Sequence, residues 1–133
     1  RMTMSDFKKV AYWQEMAEYD LATAKAMLET KRYLYVAFMC HQAIEKILKA
    51  VIVAKEPENL PYIHQLIKLA KIANIYHEFS DDQKDLLDEL SPLNVGARYP
   101  VDKEAILKSL NQERCSMILK RTEALFEWIK AKL

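Results

Sequence analysis

The chain is poor in residues that break helices. It has one glycine and four prolines in 133 residues. Doubly wound and all-β folds usually draw on glycine at their turns. The shortage therefore speaks against both and for long helices with short links. A single glycine also cannot build a Gly-rich phosphate loop. Cysteine is scarce too: Cys40 and Cys115 form neither a metal set nor a disulfide framework. Both fall in helical patterns and read as buried free thiols. An excess of charge is missing, since 20 basic and 19 acidic residues leave +1. That is unlike a strongly basic nucleic-acid binder and leaves only weak or local binding open. No secretory signal stands at the start. The only long apolar run, 33–54, is interrupted by charge, so no membrane span is expected and a cytoplasmic location follows by default. Arg1, ahead of Met2, reads as an expression remnant and takes no part in the fold reasoning.

What is present is helical periodicity. The composition, 51% hydrophobic and 29% charged, suits a single domain over residues 1–133. A chain of this size hides roughly two-thirds of its unfolded surface and needs no staple. The most apolar stretch, Tyr33–Lys55, repeats apolar residues at 34, 37, 38, 44, 48, 51 and 52, which is helical spacing. A helix this apolar on most sides must be largely enclosed by others. Yet its centre holds His41, Gln42, Glu45, Lys46 and Lys49. Positions 41, 45 and 49 are four apart and stack on one face. That polar row lies either at a wet seam or buried and internally paired.

The other helices follow in order. The first is expected over about 5–30, capped by Ser5, with an apolar row of Phe7, Val10, Ala11, Ala17, Leu21, Ala24 and Leu28. Asp20 beside that row is at its edge or paired to a neighbouring helix. The short link at Lys31–Arg32 forces an antiparallel hairpin with the 33–55 helix. Pro57 and Pro61 end that helix near Lys55. A third helix is expected from Pro61 or Tyr62 to about His77. Ser80 opens a fourth, where SDDQ reads as a capping box with Gln83 at its third position. Residues 78–89 carry six acids against Lys84, most simply a solvated face. SPLNVGARYPV, 91–101, is irregular, and Asn94 and Gly96 are suited to left-handed backbone angles. Asp102 then caps a last helix running to about Lys132. Within it Arg114 and Arg121, seven apart, suggest a rim or a partner contact. The expected fold is all-α: an antiparallel up-and-down four-helix bundle with an additional short helix.

Chemistry is thinly signalled. His41, His64 and His77 lack ligand spacing, and His41 with Glu45 makes H-x-x-x-E, which is not the zinc-protease motif. No metal or cofactor is expected. Glu45 four residues before Lys49 is the favourable order for a plain helix ion pair. The functional reading is a phosphate or nucleobase contact by Lys46, Lys49, His64 and Arg98, whose guanidinium fork suits phosphate. Tyr99 would stack on a base.

Four strings together resemble the HEPN domain family (higher eukaryotes and prokaryotes nucleotide-binding): AEYDLATAKAML, YVAFMCHQAIEKILKAVIV, HQLIKLA and ARYP. The resemblance covers nearly the whole chain. It implies an up-and-down helical bundle with an extra short helix, often dimeric. It also implies nucleotide or partner binding through Gln42, Glu45, Lys49, His64, Arg98 and Tyr99; His41 and Lys46, from the polar row of the 33–55 helix, complete the set of candidate binding residues. Prokaryotic members are often paired with a minimal nucleotidyltransferase in toxin–antitoxin modules, and others are metal-independent ribonucleases. The ribonuclease members carry an arginine, four to six residues, then a histidine, paired across a dimer. Here His41 follows Arg32 by nine residues, no histidine follows Arg98, and the suitably spaced Lys71–His77 lacks the arginine. The expectation is a non-catalytic nucleotide- or RNA-binding domain, homodimeric, in a two-protein module. The alternatives are an endoribonuclease with a non-standard site and a structural adaptor.

Overall fold

The computed structural model describes residues 2–133, so Arg1 lies outside it. The described chain is all-helical and has no strand. Its helices are α1 (Met4–Glu29), α2 (Tyr33–Lys55), α3 (Leu66–Ile72), α4 (Asp81–Leu90), α5 (Pro100–Lys108) and α6 (Gln112–Lys130).

Helix α2 is the axis of the molecule. Fourteen of its 23 residues are buried, because it packs against α1, α3 and α6 at once. Helix α1 lies along it as the other arm of the hairpin, touching it through small residues. Ala17 and Ala24 are fully buried, whereas Phe7 is exposed. The hairpin turn is a Schellman closure: Arg32 N–H donates to Met27 C=O and Lys31 N–H to Leu28 C=O. It puts Lys31 at φ 60°, a left-handed angle that costs a lysine about 1 kcal/mol. Asn74 closes α3 in the same way at φ 58°. Helix α6 completes the core with Phe126, Leu125, Ile118 and Ile129. Cys40 and Cys115 are free and buried as expected, and burial pushes the Cys40 thiol up to about 12.

Several boundaries differ from the sequence expectation. Thr3, not Ser5, caps α1: its side chain accepts from Asp6 N–H, and the Asp6 carboxylate accepts in turn from Thr3 N–H. The third helix begins at Leu66 and not at Pro61. Residues 56–65 stay irregular because their side chains are held by the bundle: Leu60 and Ile63 pack on the core, and His64 is tied to Glu45. That helix also ends at Ile72, where Asn74 turns the chain. The expected last helix is two. Asn111 accepts from Arg114 N–H at 2.8 Å and starts α6 afresh, so α5 ends at Lys108. Asp102 caps nothing; Pro100 sits at the first position of α5. Gly96 has no left-handed angle. Its lack of a side chain matters because a Cβ there would stand 3.3 Å from the Phe38 ring. The capping box at Ser80 and Gln83 is present as read.

Candidate functional site

The polar row of α2 is folded inward. Glu45 is its hub, with its side chain 4% exposed. Its Oε2 accepts from Lys49 Nζ at 3.0 Å and pairs with His64 Nδ1 at 2.8 Å. Its Oε1 faces His41 Nδ1 at 3.7 Å, beyond hydrogen-bond length, and neither atom has another partner. Lys49 Nζ also lies over the face of Trp13, 5.4 Å from the ring centroid, so a carboxylate and an aromatic face both hold this cation.

Above the hub lies a cleft of about 610 Å³. Helix α2 supplies its floor at His41. The segment entering α3 supplies Tyr62, Ile63, His64, Gln65, Leu66, Ile67 and Lys68. The stretch after α4, expected to be irregular but folded as two short 3-10 turns, Ser91–Leu93 and Val95–Ala97, supplies Ser91, Asn94 and Arg98. Its volume is that of a small-molecule site, and its walls mix apolar side chains with a few polar groups. His41 is buried, which pulls its pKa down to about 4. The Glu45 carboxylate opposes that shift, and the positive charge of Arg98, or of His64 when that ring is protonated, adds to it. At neutral pH His41 is therefore an uncharged imidazole beside a guanidinium.

Of the residues singled out in the sequence, His41, His64 and Arg98 meet in this cleft. Gln42 reaches its edge and donates to Asn94 Oδ1 at 3.4 Å. Glu45 lies beneath it. Lys46 points away and pairs with Asp20 of α1 at 2.5 Å, so Asp20 is a paired acid and not an edge acid. Lys49 is held by Glu45 and Trp13 and does not line the cleft. Tyr99 is exposed and is not a lining residue either. The tyrosine that borders the cleft is Tyr62, 95% exposed, and the sequence gives no signal for it. Lys68 and Asn94 were also missed as site residues. Lys68 follows His64 by four, a spacing open to notice, whereas Asn94 was read only for its backbone.

The other polar features are structural. Arg121 donates to Glu89 of α4 at 2.6 Å and Arg114 lies 3.9 Å from the same carboxylate, so both arginines are rim contacts within the chain. Asp81, Asp82, Asp85 and Asp88 are solvated. Among the described residues no cluster of metal-ligating side chains occurs and no helix is long and apolar enough to cross a membrane.

The bundle is similar to a solved structure, the crystal structure of TT1696 from Thermus thermophilus. The match has a TM-score of 0.79 and covers 94% of this chain and 98% of that one. At 19% sequence identity the likeness extends to the fold alone. Comparison with curated protein sequences finds no match. The HEPN domain as a sequence family matches residues 10–132, nearly the full length, and the chain therefore belongs to the HEPN domain family.

Proposed function

We propose that the cleft binds the phosphate-bearing part of a nucleotide or of an RNA strand. One observation carries this reading: an arginine and two histidines from three separate segments line a single partly apolar cleft. Arg98 supplies a fork matched to phosphate oxygens. Lys68 adds charge at the rim, and Tyr62 offers a ring on which a base stacks. Calorimetry with ATP and with a short RNA at 50 and 150 mM salt tests it. Saturable heat with at least one ligand is expected, weakened at the higher salt. No heat with either, from folded protein, rejects it. Arg98→Ala is expected to weaken binding about tenfold or more, the size of a lost charge-assisted hydrogen bond.

A second reading, a metal-independent endoribonuclease, gains support from one contact. The Glu45–His64 pair resembles the carboxylate–imidazole arrangement that orients a general base, and Arg98 lines the same cleft as a cation for developing phosphorane charge. Labelled RNA in EDTA separates the readings. Cleavage lost in Arg98→Ala and His64→Ala supports an enzyme, and equal cleavage by both variants and the wild type counts against it.

The proposed setting is one half of a two-protein module with a nucleotidyltransferase, for which family membership is the support. Failure to co-purify with a nucleotidyltransferase encoded beside it would count against that setting. Self-association is supported by α5, which buries none of its residues and leaves Val101 and Leu107 exposed. A monomer by light scattering at high concentration rules it out.

A further inference from the structure

Both imidazoles of the cleft turn the same ring nitrogen toward the same carboxylate. His64 Nδ1 stands 2.8 Å from Glu45 Oε2, and His41 Nδ1 stands 3.7 Å from Oε1. A carboxylate is stabilised by a ring N–H pointing at it and repelled by a ring lone pair. Each ring, when neutral, is therefore held as the Nδ1–H tautomer with its lone pair on Nε2. With Nδ1 turned to Glu45, Nε2 is the nitrogen each neutral ring has left to accept a hydrogen bond, and both residues line the cleft.

When both rings are neutral, the cleft thus holds two hydrogen-bond acceptors together with the guanidinium of Arg98. A bare anion suits the arginine and is repelled by the two lone pairs. The ligand that suits all three carries a hydroxyl donor next to its negative charge. Among nucleotides the ribose hydroxyls are such donors, and deoxyribose lacks the 2′ one. A plain ion pair does not account for this arrangement. Lys49 already neutralises Glu45 at 3.0 Å, yet His64 reaches in from a different segment to share the same oxygen.

We propose that Glu45 is a positioning residue that turns His41 and His64 into acceptors for a sugar hydroxyl, making the cleft selective for ribonucleotides over deoxyribonucleotides. This rests on the phosphate-binding reading above, and the experiment keeps the two apart.

Long-range 15N–1H spectra of the free protein at pH 8 read the tautomers directly. Both histidines are expected as Nδ1–H, and finding both as the commoner Nε2–H form overturns the proposal whatever binds. Calorimetry with ATP and 2′-deoxy-ATP then reads selectivity. The wild type is expected to prefer ATP about tenfold, the worth of about one hydrogen bond. Glu45→Gln is expected to bring the ratio within a factor of about two, because a neutral amide holds the tautomers less firmly. Arg98→Ala is expected to weaken both nucleotides alike and leave the ratio intact. Glu45→Gln leaves Lys49 without its countercharge, so Glu45→Gln/Lys49→Met is the companion variant, with the same collapse expected. Measurable but equal affinities in the wild type overturn the proposal and leave phosphate binding standing. Absence of binding to either nucleotide overturns both. A folded double variant that keeps the tenfold preference also overturns the proposal.

Discussion

Glu45 gathers three cationic or protonatable side chains and Glu89 two, and they do so in opposite settings. Glu89 lies on α4 with its side chain 30% exposed, facing Arg114 and Arg121, which are 36% and 38% exposed. Water screens such a cluster, and it contributes little beyond fastening α4 to α6. Glu45 sits in the central helix with its side chain 4% exposed and Lys49 only 7% exposed. Withdrawing these charges from water carries a large desolvation cost, and apolar residues of the same volume would fill the space at no such cost. The same contact chemistry is thus ordinary fastening at the surface and an expensive arrangement in the core. That contrast directs attention to the cleft above Glu45 and away from the acid-rich helix, although α4 carries the more conspicuous charge pattern in the sequence.

The contrast breaks first at Lys49. Lys49→Ala strands a buried carboxylate and is expected to cost about 3–5 kcal/mol, read from urea melts at pH 7. A loss below 1 kcal/mol would place Glu45 in the same class as Glu89. Acid sharpens the same point. The folded-state pKa of His41 lies near 4, below its ordinary 6.5. Between those values the unfolded chain binds more protons than the native one. The His41 contribution is therefore fully present above about pH 6.5 and is lost as pH falls toward about 4. The total lost is up to about 3 kcal/mol. A His41→Gln variant should show a flatter stability profile across that window, and an unchanged slope would contradict the burial argument.

Smaller effects belong to the surface. Lys31→Gly relieves the left-handed angle at the hairpin turn and is expected to stabilise by about 1 kcal/mol, visible as a higher melting temperature. A lower melting temperature would mean that the lysine side chain contributes more than its backbone costs. Glu89→Gln is expected to shift stability by less than about 1 kcal/mol and to lose even that effect in 1 M salt. A larger, salt-insensitive loss would erase the distinction between the two carboxylates.

Much of the fold was legible before any coordinates. The scarcity of glycine, the periodicity of 33–55 and the short link at Lys31–Arg32 led to an all-helical bundle built on an α1–α2 hairpin, as observed. The boundaries that differ have two causes. Pro61 looked like a helix start, but the chain from 56 to 65 is held irregular by what its side chains touch. Asn111 looked like one more polar residue in a long helix, but its amide caps a new one. Tertiary contacts decided the first, and a local cap, three residues in span, decided the second.

The site was legible in part. Four-residue spacing places His41, Glu45 and Lys49 on one face, and that much is a property of the helix alone. The same spacing cannot say that Lys46 turns to Asp20, that Lys49 is taken by Glu45 and Trp13, or that Tyr62 and not Tyr99 lines the cleft. Periodicity is set by the backbone over a few residues, so the sequence determined the helices and which of their faces are apolar. The meeting of His41, His64 and Arg98 depends on how the segments 56–65 and 91–99 lie over α2. Packing of distant side chains settles that, and only the tertiary structure decided it.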